Sequence, residues 1–160
     1  MIGRLLRSAD FERVLRTRSR ASSTHFAVHH LPDSPSRPHK PVMATPPEAS
    51  DSELSTGDAP SLIVPVDEFP LNAQFDIWLG AVVPKRHARR SVTRTLLKRQ
   101  IRAVVTERAN ALLGGLWVVR LRAPFDKAVF PSAASNALRL CARDELDGLL
   151  VAAAQRTQPR

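Results

Sequence analysis

Hydrophobic residues recur along this chain with two different periods, which separate predicted helices from predicted strands. Apolar residues three or four positions apart indicate amphipathic helices, whereas alternation or a short unbroken apolar run indicates a strand. These patterns predict helices from Ser8, over 91–108 and from Pro131, and strands over 20–22, 24–31, 75–83 and 116–121. The order of these elements indicates an α/β or α+β fold in which helices pack against one small sheet.

Each predicted helix has an apolar face that fits burial against that sheet. In the first, Ser8 is the predicted N-cap, and Phe11, Val14 and Leu15 form the buried face. In the middle helix, at about 100° per residue, one stripe about 100° wide faces the core; it consists of Leu97, Ile101, Val104 and Val105. In the last, the apolar face holds Ala134, Leu138, Cys141, Ala142 and Leu149, with Cys141 as a small core residue.

The composition fits one folded domain over residues 1–160. A hydrophobic fraction of 43% is enough for a single core in a chain of this length. No apolar run is long enough to cross a membrane, and the first residues lack the apolar core of a secretory signal. We therefore expect a cytoplasmic protein without membrane contact. The single cysteine, Cys141, excludes a disulfide framework.

Charge is divided unevenly along the chain. The segment 32–73 has two basic and seven acidic residues, a net charge of −5, and nine of the 13 prolines lie between Pro32 and Pro70. Such a segment cannot bury enough apolar surface to offset the entropy lost on ordering, so we predict a disordered insertion over 32–73. The other 118 residues carry a net charge of +14, which indicates a polyanionic partner.

The densest positive charge lies at and before the middle helix. Its eight cations fall within 18 residues that contain no acid: Lys85, Arg86, Arg89, Arg90, Arg94, Lys98, Arg99 and Arg102. Like charges four residues apart repel each other, so the apolar stripe must stabilise this helix until phosphates neutralise it. A face that is merely solvated usually mixes both signs of charge. The pattern therefore favours a phosphate-binding surface, with binding that weakens steeply as salt rises.

The sequence contains no pattern of a protein-based nuclease. Such an enzyme needs clustered carboxylates for metal ions or a paired acid and base, but the eight acids outside the insertion are scattered. The five histidines, which are His25, His29, His30, His39 and His87, do not have the spacing of metal ligands. We expect neither a catalytic residue nor a metal site in this chain.

The basic segment resembles the hallmark of the bacterial ribonuclease P protein component, Arg-Asn-Arg-x-Lys-Arg-x-x-Arg after a strand and a Lys-Lys pair. Here Lys85-Arg86 follows the strand end Val82-Val83-Pro84, and Arg94, Lys98, Arg99 and Arg102 match the motif. Thr95 and Leu96 replace the family's Asn and second Arg. Further matches are Arg4-Leu5-Leu6, Phe11, Val14, Arg20 and the strand 116–122. The resemblance covers residues 4–31 and 74–150, everything except the insertion.

The resemblance implies a fold and a function. The family fold is an α+β αβββαβα sandwich with a left-handed βαβ crossover, like that of a ribosomal-protein domain. The family's protein binds a large catalytic RNA, and the ribonucleoprotein cleaves the 5′ leader from precursor tRNA. The magnesium ions of this endonuclease are held mainly by the RNA. No obligate protein partner is indicated.

The resemblance also implies two RNA-binding sites. The RNA-binding site comprises Lys85, Arg86, Arg89, Arg90, Arg94, Lys98, Arg99 and Arg102. A cleft between the first helix and the sheet takes the single-stranded leader, and the residues expected there are Phe11, Arg13, Arg16 and Phe26. Aromatic stacking beside cations is the usual chemistry for single-stranded RNA. The alternative for both phenylalanines is a place in the core.

Two other functions fit a basic α/β or α+β protein. One is a structural RNA-binding protein of the ribosomal type, which composition does not distinguish from a ribonuclease P subunit. The other is a DNA-binding regulator that inserts the 94–102 helix into a major groove. A recognition helix usually follows another helix and a tight turn, whereas here a strand precedes it, which argues against the regulator.

Overall fold

Within the residues that the structure describes, the fold is a five-stranded mixed sheet with three helices. The computed structural model describes residues 2–36 and 77–157. In chain order the elements are β1 (Ile2–Arg4), α1 (Ser8–Arg16), β2 (Ala21–Ser22), β3 (Phe26–Leu31), β4 (Ile77–Val82), α2 (Ser91–Glu107), β5 (Gly115–Leu121) and α3 (Asn136–Thr157). A single 3₁₀ turn, Ala109–Ala111, follows α2. The α+β prediction is confirmed, and the order αβββαβα gains one strand, β1, before the first helix.

The sheet has the strand order β1-β4-β5-β3-β2. Strand β4 pairs in parallel with both β1 and β5, and β3 pairs antiparallel with β5 and β2. Helix α2 connects the parallel neighbours β4 and β5, so β4-α2-β5 is the βαβ unit that the resemblance implied. The handedness of its crossover stays a prediction.

Helices α2 and α3 cover one face of the sheet and form the larger core with it. Residues 97, 101, 104 and 105 of α2 are all buried, so the predicted stripe is confirmed. They pack with alternate residues of β5, of which Trp117 is fully buried, and with the buried face of α3. Burial of this stripe stabilises the helix against repulsion between its stacked cations.

Helix α1 covers part of the opposite face. Val14 is fully buried there against Leu116 and Val118 of β5, with Phe11 and Leu15 half-buried beside it, as their spacing predicted. Strand β4 has a glycine, Gly80, where the Phe11 ring lies: a Cβ at this position would be 2.4 Å from Phe11 Cε1. The absence of a side chain therefore lets α1 approach β4.

Three predicted details of the helices are wrong. Helix α1 begins at Ser8, so its N-cap is Arg7 and Ser8 does not cap it. Helix α3 begins at Asn136 instead of Pro131, because the backbone N–H of Leu138 donates to Ser135 Oγ at 3.1 Å and fixes the start there. Cys141 is half-buried instead of a core residue, and partial burial raises the pKa of its thiol.

The start of the predicted insertion is bound to α1. Ser36 donates its backbone N–H and its hydroxyl to Asp10 Oδ1, at 3.1 and 2.5 Å, and Arg13 pairs with both Asp10 and Asp33. Burial opposes ionisation of Asp10, but these hydrogen bonds outweigh it and hold the pKa of this carboxyl below its usual value. Asp33 and Ser36, at the start of the predicted insertion, are thus in contact with α1, and the predicted disorder of the insertion stays a prediction. Residues 37–73 of the insertion lie outside the described residues.

A buried histidine makes the stability of this fold depend on pH. His30 is 1% exposed; its ring is 4.3 Å from Trp117, and its Nε2 donates to the carbonyl of Gly114 at 3.0 Å. Burial lowers the pKa of His30, so the unfolded chain binds its proton more readily than the folded chain. We expect the free energy of unfolding to fall as pH drops below about 6.5.

Urea unfolding at pH 7.5 and pH 5.5 checks this pH dependence. His30→Phe keeps a ring beside Trp117 but cannot be protonated, so it should show a smaller loss of stability between the two pH values than the parent chain. An equal loss in both proteins would contradict the assignment to His30.

Candidate nucleic-acid interface

A tight turn places the first cations directly before α2. The backbone N–H groups of His87 and Ala88 both donate to the carbonyl of Pro84, at 3.1 Å, and this closes the turn that carries Lys85 and Arg86. Both side chains of that pair are exposed. The turn therefore joins the end of β4 to the start of α2 and presents its cations on the surface.

Arg94 has a positioning role in this interface. Its Nη1 donates to the carbonyls of Ala88 and Arg89, at 3.0 and 2.7 Å, and its side chain is half-buried. These bonds fix the backbone that carries Arg89 and Arg90, both of which are exposed. The contacts that hold Arg94 are carbonyls, so its positive charge is not cancelled by them.

The other cations of α2 are free of carboxylate partners within the described part of the chain. Lys98, Arg99 and Arg102 are exposed, and none of the ion pairs among residues 2–36 and 77–157 includes them. Of the two residues that depart from the family motif, Thr95 is exposed beside these cations, whereas Leu96 is half-buried against the larger core. Leu96 therefore replaces a cation with a packing contact.

The acids near α2 lie at its other end. Glu107 pairs with Arg143 and Asp147 pairs with Arg108, both at 2.5 Å. The hydrogen bond from Arg108 is the main reason that the pKa of Asp147 lies below its usual value. Positive charge is thus compensated at the C-terminal end of α2 and uncompensated at its N-terminal two thirds.

A cleft of about 500 Å³ connects this basic surface to α1. It lies beside β4, whose residues 79–81 form one wall. Lys98, Arg99 and Arg102 line one side, and Phe11 and Leu6 line another. Leu6 is 80% exposed, so its side chain is available to a ligand in the cleft. The cleft thus combines cations with an apolar and an aromatic side chain, the chemistry that suits single-stranded RNA.

Of the four residues predicted for the leader cleft, only Phe11 lines this cleft. Phe26 is fully buried on the sheet face covered by α2 and α3, so its assignment to a ligand-binding cleft is wrong. Arg13 lies on the other side of α1, about 200° from Phe11, where Asp10 and Asp33 hold it. Arg16 is exposed in the last turn of α1 and does not line the cleft.

Two groups of residues in or near these surfaces were not assigned from the sequence. Arg4 and Leu6 line the cleft because β1 places them beside β4, and this three-residue strand was not predicted. At the opposite edge of the sheet, Arg18, Arg20 and Arg156 line a second open cleft. Arg18 and Arg20 are close in sequence, whereas Arg156 comes from α3, so only the folded chain brings the three together.

The described residues contain no group of three or more His, Cys, Asp or Glu side chains placed to hold a metal ion. A search of the same residues finds no helix with the length and apolar character needed to span a membrane.

The chain is similar to known proteins of one family. The family model described as Ribonuclease P matches residues 3–144. A ribonuclease P protein component from Burkholderia pseudomallei is 40% identical over 85 residues, which are 53% of this chain and 62% of that protein. One from Paraburkholderia xenovorans is 38% identical over 82 residues, 51% of this chain and 59% of that protein. The chain thus spans about three fifths of the length of the curated relatives it matches.

A solved structure agrees on the fold. The ribonuclease P protein from Staphylococcus aureus superposes with a TM-score of 0.53 at 18% identity, covering 98% of this chain and 93% of that one. At this identity the likeness concerns the fold alone. The family model, which covers both sides of the insertion, shows more: this chain belongs to the ribonuclease P family.

Proposed function

We propose that this chain is the protein subunit of ribonuclease P and that it promotes 5′ maturation of tRNA by binding two RNAs. One is the catalytic RNA of the enzyme, and the other is precursor tRNA. The observation that carries the proposal is the uncompensated positive charge of Lys98, Arg99 and Arg102 on a helix anchored by a buried stripe. Such a surface binds phosphates by releasing condensed counterions.

The two surfaces have different roles in this proposal. The turn at 85–90 and the exposed face of α2 bind the backbone of the catalytic RNA. The cleft beside Phe11 takes the single-stranded leader, with a base against the Phe11 ring, and Lys98 and Arg102 lie where the two surfaces meet and contact phosphates of both RNAs.

The chemistry of cleavage is assigned to the RNA in this proposal. The catalytic RNA would hold the magnesium ions, which would supply the activated water for hydrolysis. The residues of this chain orient the leader and neutralise phosphate repulsion between the two RNAs. We also place the assembled enzyme in the cytoplasm.

Single-turnover cleavage of precursor tRNA tests the proposal. The chain should accelerate cleavage when its cognate catalytic RNA is present and should cleave nothing alone. Cleavage by the chain without RNA would overturn the mechanism. Binding to the catalytic RNA without any acceleration would instead indicate a structural RNA-binding protein.

A further inference from the structure

A separate cavity, of about 220 Å³, lies between the first turn of α2 and the segment that precedes α3. Its floor is apolar and is made by Ala88, Leu97 and Leu138, all of which are buried. Phe125 and Phe130 line it as half-buried aromatic walls. This cavity shares no lining residue with the cleft beside Phe11.

Cations surround the opening of this cavity. Arg89, Arg90 and Lys127 line it and are exposed, and His87 lines it as a half-buried side chain. The described residues that line it include no carboxylate. The cavity therefore combines an aromatic and aliphatic interior with a purely positive rim.

The segment that forms the outer wall is held in place by hydrogen bonds. Thr93 Oγ1 donates to the carbonyl of Ala133 at 2.6 Å, and Arg90 Nη1 donates to that of Pro131 at 3.4 Å. Within the segment, the N–H of Phe130 donates to the carbonyl of Asp126 at 2.9 Å. A ligand that enters meets walls already fixed, which lowers the entropy lost on binding.

The two aromatic rings differ in what they can still contact. Phe125 is stacked on His25 at 4.0 Å, and His25 Nδ1 is 2.7 Å from Glu145 Oε2, so this ring is held in position. Phe130 lies at 83° to Phe125 with centroids 5.9 Å apart, its one ring contact among residues 2–36 and 77–157. Phe130 therefore has ring surface available for a planar ligand.

We propose that this cavity binds one unstacked base of an RNA strand. The base packs against Phe130, and its phosphate contacts Arg89, Arg90 and Lys127. Aromatic surface next to cations is the chemistry that holds single nucleotides, and the volume is below the ~300 Å³ at which pockets for drug-sized ligands begin. This inference rests on the proposed function, because it takes RNA to be the partner, and it adds base contact to a surface otherwise assigned to phosphates.

Nuclear magnetic resonance of the full chain tests this inference. The methyl groups of Leu97 and Leu138 report on the floor of the cavity while AMP, UMP or ribose 5-phosphate is added at millimolar concentration. We expect AMP or UMP to shift both sets of methyl signals and ribose 5-phosphate to leave them in place. Equal shifts with ribose 5-phosphate, or no shift with either nucleotide, would overturn the inference.

Two variants locate the nucleotide. Phe130→Leu keeps an apolar side chain but removes the ring, so nucleotide affinity should fall about 5-fold or more. Val129→Ala is the matched control, because Val129 is 64% exposed in the same segment and does not line the cavity. Equal affinity in Phe130→Leu and the control would place the nucleotide elsewhere and overturn the inference.

Binding of the catalytic RNA separates this inference from the proposed function. If the parent chain does not bind that RNA, the proposed function fails. If it binds the RNA with a steep salt dependence but no nucleotide shifts the methyl signals, only the assignment of the cavity fails.

Discussion

Replacing Lys98 and Arg102 together by glutamine should weaken binding to the catalytic RNA on the order of 20-fold at 0.15 M salt, and should lower the log–log salt slope by about 1.4 to 1.8. Both side chains are exposed on α2 and have no carboxylate partner within the described part of the chain. Each phosphate contact that is lost lowers the number of counterions released on binding, and this lowers the salt slope. Filter binding or fluorescence anisotropy over a range of salt concentrations measures both quantities.

The control for this prediction removes two positive charges elsewhere, one at the C-terminal end of α2 and one on α3. Arg108→Gln with Arg143→Gln also lowers the net charge by two, but these arginines pair with Asp147 and Glu107. Their exposed ion pairs contribute little to stability. The control should keep the salt slope of the parent chain. Equal losses in both double variants would show that net charge, and not the α2 surface, governs binding.

Gly80→Ala should lower the free energy of unfolding by about 1–3 kcal/mol, because the added methyl group overpacks the contact between α1 and β4. The new Cβ would lie 2.4 Å from Phe11 Cε1 and 3.0 Å from Leu5 Cδ1. Removing a glycine from a strand would otherwise stabilise the fold slightly. The sign of the effect therefore reports the steric contact. Urea unfolding measures it.

Two further variants isolate that contact. Gly148→Ala is the matched control: apart from the local helix backbone, no heavy atom lies within 4 Å of a Cβ added to this exposed helical glycine, so it should stabilise the fold by about 0.5–1 kcal/mol. In a Phe11→Ala background, Gly80→Ala should lose most of its cost, because the clashing ring is gone. An undiminished cost in that background would show that Phe11 is not the obstacle.

The elements with strong periodicity could be predicted from the sequence. The stripe of α2 was identified because its four apolar residues fall on one side of an ideal helix, and all four are buried. Lys98 and Arg102 lie outside that stripe and are exposed. Local spacing was sufficient because the helix itself determines both faces.

The features that depend on distant contacts could not be predicted in this way. Strand β1 has three residues and exists through its pairing with β4, more than 70 residues away in sequence. Phe26 alternates correctly within β3, but alternation does not tell which face of the sheet each residue occupies. Helix α3 starts five residues after Pro131, because the carbonyls of Pro131 and Ala133 accept hydrogen bonds from Arg90 and Thr93 at the start of α2 instead.

The cleft beside Phe11 also depends on distant contacts that the sequence does not show. Phe11 was chosen for its type and position, and it lines the cleft, but Arg13 was chosen with it although the two point to opposite sides of α1. Arg4 and Leu6 matched the family's opening, yet only the sheet topology brings them to Lys98 and Arg102. Residues from four separate segments therefore form one cleft.

We expect the exposed cationic face of α2 to contact the catalytic RNA, and a photocrosslink from this face tests that contact most directly. In a Cys141→Ser background, a cysteine at Thr95 attaches a short crosslinker beside Lys98 without removing a cation, and one at Val151 serves as control on α3 near Arg108. Irradiation of the complex should crosslink position 95 to the RNA and leave position 151 unlinked. Crosslinks from position 151 with none from position 95 would contradict the claim.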